Sequence, residues 1–76
     1  MRVQLAPRII ADPRILSGRP VIEGTRVPVD LVVGKLGGGM SYDEVAAEYE
    51  ITCEDILAAR TYTSNVLAMD EVRATA

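Results

Sequence analysis

The rhythm of apolar positions changes at about residue 28. Before it, apolar residues come in short runs broken by glycine and proline; after it, they recur at helical spacing. Val29, Val32, Val33 and Leu36 fall at i, i+3, i+4 and i+7, which predicts a first helix over residues 28–36. Gly37-Gly38-Gly39 stops it and leaves room for a C-cap with positive φ. Ser41 and Glu44 have the spacing of a capping box, so a second helix opens at Ser41 with Val45, Ala46 and Tyr49 on its inner face. Glu50-Ile51 is the turn. Thr52 and Asp55 repeat the capping pattern, and Ile56, Leu57, Ala59, Arg60, Val66 and Leu67 carry a third helix to about Ala68. Residues 69–76 are expected to be a frayed tail.

The first third reads as β structure. Residues 1–7 are expected to be loose, Arg8-Ile9-Ile10-Ala11 to form a short strand, and Asp12-Pro13 to open a turn from which Arg14-Ile15-Leu16 returns. The stretch Ser17-Gly18-Arg19-Pro20-Val21-Ile22-Glu23-Gly24-Thr25-Arg26-Val27-Pro28-Val29 then predicts a tight hairpin leading straight into the first helix. Val21-Ile22 is one arm and residues 25–27 the other. The two-residue loop Glu23-Gly24 favours a primed turn, whose positive φ Gly24 accepts without steric cost. Gly18 offers similar freedom before the hairpin, Pro20 suits a sheet edge and Pro28 the first turn of a helix. The fold expected is one α+β domain, mainly α. A small N-terminal β-hairpin element (residues 8–27) precedes a three-helix, helix-turn-helix-like bundle (28–68) and a tail (69–76).

Composition adds constraints. A chain of 76 residues has room for one domain. It buries only about 60% of its unfolded surface, so it is marginal alone. With no Trp, no Phe and three Tyr, the core must be aliphatic. The single cysteine, Cys53, cannot form a disulfide within the chain and reads as a small buried or half-buried thiol. No signal pattern opens the chain and no apolar run approaches the ~20 residues of a membrane span, so a soluble protein of the reducing cytoplasm is expected. The net charge of −3 hides an asymmetry. Residues 1–35 hold six basic side chains against three acidic ones, and residues 36–76 hold two against eight. Such halves present fields of opposite sign, unless the charges are an ordinary solvated surface.

No catalytic, cofactor or metal site emerges. There is no histidine for acid–base work or metal binding. Cys53, Ser17 and Ser41 lack a base. Glu44, Glu48, Glu54 and Asp55 occupy helix starts and turns, where acids stabilise the helix dipole. The three glycines at 37–39 lack the Lys-Ser/Thr that completes a phosphate-binding loop. An enzyme is not expected.

Several of these residues together resemble one family. They are Asp12-Pro13, the run Gly18-Arg19-Pro20-Val21-Ile22-Glu23-Gly24-Thr25-Arg26-Val27-Pro28-Val29, Gly39-Met40-Ser41 with Glu44, Tyr49, and Thr52-Cys53-Glu54-Asp55. The chain is similar over about residues 9–67 to the small prokaryotic family called Domain of Unknown Function 433. The resemblance marks Gly18, Pro20, Gly24, Thr25, Arg26 and Pro28 as a structural signature. It implies a homeodomain-like fold and an antitoxin of the VapB type, which binds and neutralises a toxin of PIN-like ribonuclease fold and represses its own operon. Two departures stand out: Glu50-Ile51 replaces a turn that often holds proline in the family, and residues 37–39 are unusually glycine-rich.

A reading helix would enter the major groove by its start, here Glu54 and Asp55, which phosphates repel. The DNA-binding candidates are therefore Arg8, Arg14, Arg19 and Arg60, with Arg2 and Arg26 also in the basic half. Against this, Arg19 and Arg26 can brace the hairpin through Glu23, Asp30 or main-chain carbonyls, and for Arg26 the bracing role is favoured. For the toxin, Arg2, Arg8 and Arg73 are candidates to reach a pocket of clustered acids; alternatively the acidic helices cover a basic RNA-binding face. The expected partners are the cognate toxin, operator DNA and a second copy in a homodimer. The alternative function is a stand-alone DNA-binding regulator.

Overall fold

The computed structural model describes residues 1–75, and the side chains of residues 1–70. Three strands, β1 (Val3–Ala6), β2 (Ile9–Ala11) and β3 (Val21–Ile22), form an antiparallel sheet in that order. Three helices follow: α1 (Val29–Gly37), α2 (Tyr42–Tyr49) and α3 (Cys53–Thr75). The α+β expectation, mainly helical, holds. Among the described residues no helix is long and apolar enough to cross a membrane.

The core forms where the sheet meets the helices. Ile9 and Ile22 are paired across β2 and β3 and face Val29, Val32, Val45, Ile51, Ile56 and Ala59, all buried. Alternation turns the next pair, Ile10 and Val21, to the opposite face, and these are buried as well. A central strand covered on both faces explains the unbroken apolar run Ile9-Ile10-Ala11. The core is aliphatic, as the composition requires.

Residues 3–6 are a strand, not a loose end. β1 pairs with β2 (Val3 with Ala11, Gln4 with Ile10, Ala6 with Ile9), and the register shift between Gln4 and Ala6 is a bulge at Leu5. Two side chains hold it down. Arg2 ion-pairs with Glu23, and Gln4 Nε2 donates to the carbonyl of Ala6 (2.8 Å) and to Glu23 Oε1 (3.2 Å).

The turn at Glu23-Gly24 is not primed. Only Gly24 has positive φ (82°), and the Thr25 amide donates to the Ile22 carbonyl at 3.0 Å, the pattern of a type II turn. The second arm shrinks to one bridge, Val21 with Pro28. Thr25 explains why: its Oγ1 donates to the Ile22 carbonyl (2.8 Å) and accepts from the Val27 amide (3.0 Å), taking the place of ladder bonds. Pro28 is the N-cap of α1 rather than a residue of its first turn. Before the hairpin, the returning segment ends in a left-handed turn of Leu16 (φ 50°), Ser17 (58°) and Gly18 (86°), where the freedom expected of Gly18 is used.

Both capping boxes form. The Glu44 amide donates to Ser41 Oγ (3.1 Å) while the Ser41 amide donates to Glu44 Oε1 (2.8 Å). The same exchange joins Thr52 and Asp55, at 3.1 and 3.0 Å. Between α2 and α3 the chain turns through Glu50 at φ 55°, and buried Ile51 fills the corner. α3 does not stop at Ala68 but continues to Thr75. Ile56 and Ala59 are fully buried, whereas Leu57 and Leu67, expected on the same stripe, are exposed. The body covering α3 gives out near Tyr62 and Thr63. In residues 61–66 the helix consists of poor helix formers, each costing about 0.4–0.7 kcal/mol relative to alanine.

Candidate functional site

The fold gives most of the arginines partners. Arg8 leaves the β1–β2 turn, where its own φ is 68°, and its Nη1 donates to Asp55 Oδ1 at 2.9 Å. Asp55 thereby caps α3 and ties it to the sheet. Burial raises the Asp55 pKa, but the Thr52 amide and hydroxyl and the Arg8 guanidinium outweigh it, leaving the carboxyl below its ordinary value.

Arg14 grips Asp12. Its main-chain amide and Nε donate to Asp12 Oδ1 (2.9 and 3.2 Å) and its Nη2 to Oδ2 (3.1 Å). The Asp12 carbonyl also accepts from the Ile15 amide at 2.8 Å, so this buried acid organises the turn that Pro13 begins. The Arg14 side chain and amide lower the Asp12 pKa, and Asp12 raises that of Arg14. Arg19 Nη2 spans both oxygens of Asp30 in the first turn of α1, at 2.7 and 2.6 Å. Arg60 donates to the Tyr42 hydroxyl and lies 5.7 Å from the centre of that ring. Arg2 is held by Glu23.

Arg26 differs from its expected bracing role. It is exposed and makes no ion pair or side-chain hydrogen bond among the described residues; Thr25 braces the turn. The side chain of Arg73 lies outside the described residues. The DNA candidates Arg8, Arg14, Arg19 and Arg60 are thus held at four separate attachments, on Asp55, Asp12, Asp30 and Tyr42. Asp12 and Tyr42 escaped the sequence reading as partners. The Asp-x-Arg spacing could have suggested the first, but no local pattern announces the second.

The corner between α2 and α3 is acidic. Asp43, Glu44, Glu48, Glu50 and Glu54 are exposed there, and no basic residue occurs between Lys35 and Arg60. The Ser41 amide and hydroxyl hold the Glu44 pKa below its ordinary value. Half-buried Cys53 has its sulfur 3.9 Å from Asp43 Oδ1. The other distinctive surface is apolar. An open groove of about 370 Å³ runs between α1 and α3, walled by Val29, Val33, Tyr62, Val66 and Leu67.

Residues 9–63 match the model of a family described as "Protein of unknown function (DUF433)". The chain belongs to this family. The matched segment coincides with the packed body: it includes every buried core residue, from Ile9 to Ala59, and leaves out β1 and the last turns of α3. No curated protein matches the chain. Among solved structures, the X-ray crystal structure of Rv2018 from Mycobacterium tuberculosis is similar, with 32% sequence identity and a TM-score of 0.68. The match covers 76% of this DUF433 chain and 29% of the Rv2018 chain.

Proposed function

We propose that this DUF433 chain is a cytoplasmic antitoxin that binds and neutralises a PIN-like ribonuclease toxin, with repression of the shared operon as a property of the complex. The observation that carries this reading is the electrostatics of the α2–α3 corner. A helix-turn-helix reader presents the start of its last helix to DNA, and here that start is Glu54 and Asp55 beside three exposed acids of α2. Such a surface disfavours a duplex and favours a basic protein face, such as the RNA-binding face of a nuclease.

The arginines suit the same reading. The Arg2–Glu23 and Arg8–Asp55 pairs leave the arginine side chains 49% and 50% exposed. The Arg2–Glu23 pair is exposed on both sides and holds by about 0–1 kcal/mol, so a pocket of clustered acids can draw that guanidinium away. Arg8 offers only its exposed half, because its partner Asp55 is 15% exposed. The alternative, a stand-alone regulator, needs Arg8, Arg14 and Arg19 to exchange carboxylates for phosphates.

Co-expression with the neighbouring gene tests the proposal. A stable complex that suppresses that neighbour's RNA cleavage is expected, weakened when Arg2 and Arg8 are changed together to glutamate. A harmless neighbour, with specific and salt-sensitive operator binding by this chain alone, would establish the regulator instead.

A further inference from the structure

α3 outruns the body it packs against. Val66, Leu67 and Met69 are 38%, 57% and 59% exposed, past the point where Ile56 and Ala59 are fully covered. Residues 61–69 contain no Asp, Glu, Lys or Arg, the longest such run in the sequence. Six of them in succession (Thr, Tyr, Thr, Ser, Asn, Val) have weak intrinsic helix preference, and a helix of that kind is held by packing rather than by propensity. Open grooves of about 370 and 530 Å³ flank Thr63 and Leu67, sharing Val33 as their wall on α1.

We propose that this face of α3, with the grooves beside it, is a two-fold interface between two copies of the chain. The surface is self-complementary. Leu67 belongs both to the projecting part of α3 and to the groove walls, so a two-fold axis near it lays each projecting helix along the other copy's groove. The charge pattern also selects a second copy. Residues at a two-fold axis meet their own counterparts, where a charge would face the same charge; the uncharged run fits that position. The run is bracketed by opposite charges, Arg60 and Asp70. Arg60, Thr63, Leu67 and Asp70 follow at spacings of three, four and three, which places them on one seam of the helix. Turned antiparallel about its midpoint, the seam puts Thr63 opposite Leu67 of the second copy and Arg60 opposite Asp70 of the second copy, each twice. Arg60 has no carboxylate partner among the described residues; its guanidinium rests on Tyr42, and it lines the larger groove. The small side chains of Thr63 and Ser64 let two helices approach closely. The pairing stands whether or not the chain meets a toxin.

Sedimentation velocity over a micromolar concentration series reads the pairing, and a cooperative urea transition shows that each variant's body is folded. The wild type is expected to approach twice its 8.2 kDa mass as concentration rises. Leu67→Glu should weaken association at least tenfold, while Glu48→Lys, exposed on α2 and away from both grooves, should leave it unchanged. Arg60→Asp should weaken it, and Arg60→Asp with Asp70→Arg should restore it. A wild type that stays monomeric, a Leu67→Glu variant that associates as before, or a double variant that shows no restoration would overturn the proposal.

Discussion

Ile56 and Leu67 are both large aliphatic residues of α3, yet one is fully buried and the other 57% exposed. The first belongs to a body whose members determine one another: Ile9 and Ile22 from the sheet, Val32 from α1 and Val45 from α2 close around it. The second lies on a stretch of helix with poor propensity, no charged neighbours at 61–69 and open grooves beside it. A small chain can thus divide its apolar residues between two tasks. One set holds the fold, and the other is left for association.

Truncating both residues tests that division. Ile56→Ala should cost about 2–5 kcal/mol through lost burial and a cavity, enough to unfold much of a domain this small. Leu67→Ala should cost less than about 0.5 kcal/mol in dilute protein, where no second copy covers it. Urea denaturation at low concentration measures both, and equal losses would erase the distinction. Within the body, Gly24→Val is expected to cost about 1–3 kcal/mol, because a Cβ there meets nothing within 4 Å and the penalty comes from φ 82° alone. Gly24→Asn should be milder, since asparagine tolerates that region. Ser41→Ala removes one half of a capping box and should cost about 1 kcal/mol.

Acid should act on the body through the same contacts. Asp12, Glu44 and Asp55 all have folded pKa values below their ordinary ones. Each therefore contributes stability above the unfolded pKa, near 3.8 for aspartate and 4.5 for glutamate, and that contribution is lost as pH falls through the lower folded values. The urea midpoint should be flat from pH 7 to about 5 and fall below that, and Asp55→Asn should make the fall shallower. The smallest effect expected is that of Arg19→Ala. Its pair with Asp30 is exposed on both sides and should contribute about 0–1 kcal/mol, diminishing with salt.

The features legible in the sequence were those settled within one turn of chain. Ser41 with Glu44, Thr52 with Asp55 and the Val29 stripe each announce themselves over a few residues. What was not legible depended on distant neighbours. β1 is held by β2 and by Glu23, 21 residues from Arg2, and Arg8 meets Asp55 across 47 residues. The turn at Gly24 needed the Thr25 hydroxyl to be seen as a bridging group, which shortened the second arm to one bridge. The left-handed Leu16 and Ser17 follow from no local propensity, because both residue types disfavour positive φ. At the candidate site, the arginines and the Asp30 partner of Arg19 were visible, but the pairing of Arg2 with Glu23, Arg8 with Asp55 and Arg14 with Asp12 was not, so a basic half of the sequence became a set of ion pairs.

Residue-resolved hydrogen exchange at several protein concentrations tests the division between body and projecting helix most directly. Slow exchange is expected through the body at every concentration, with protection in residues 64–75 rising as the protein is concentrated. Amides there that are as protected as those of Ile56 and Ala59 in the most dilute sample would contradict it, showing that the end of α3 stands without a partner.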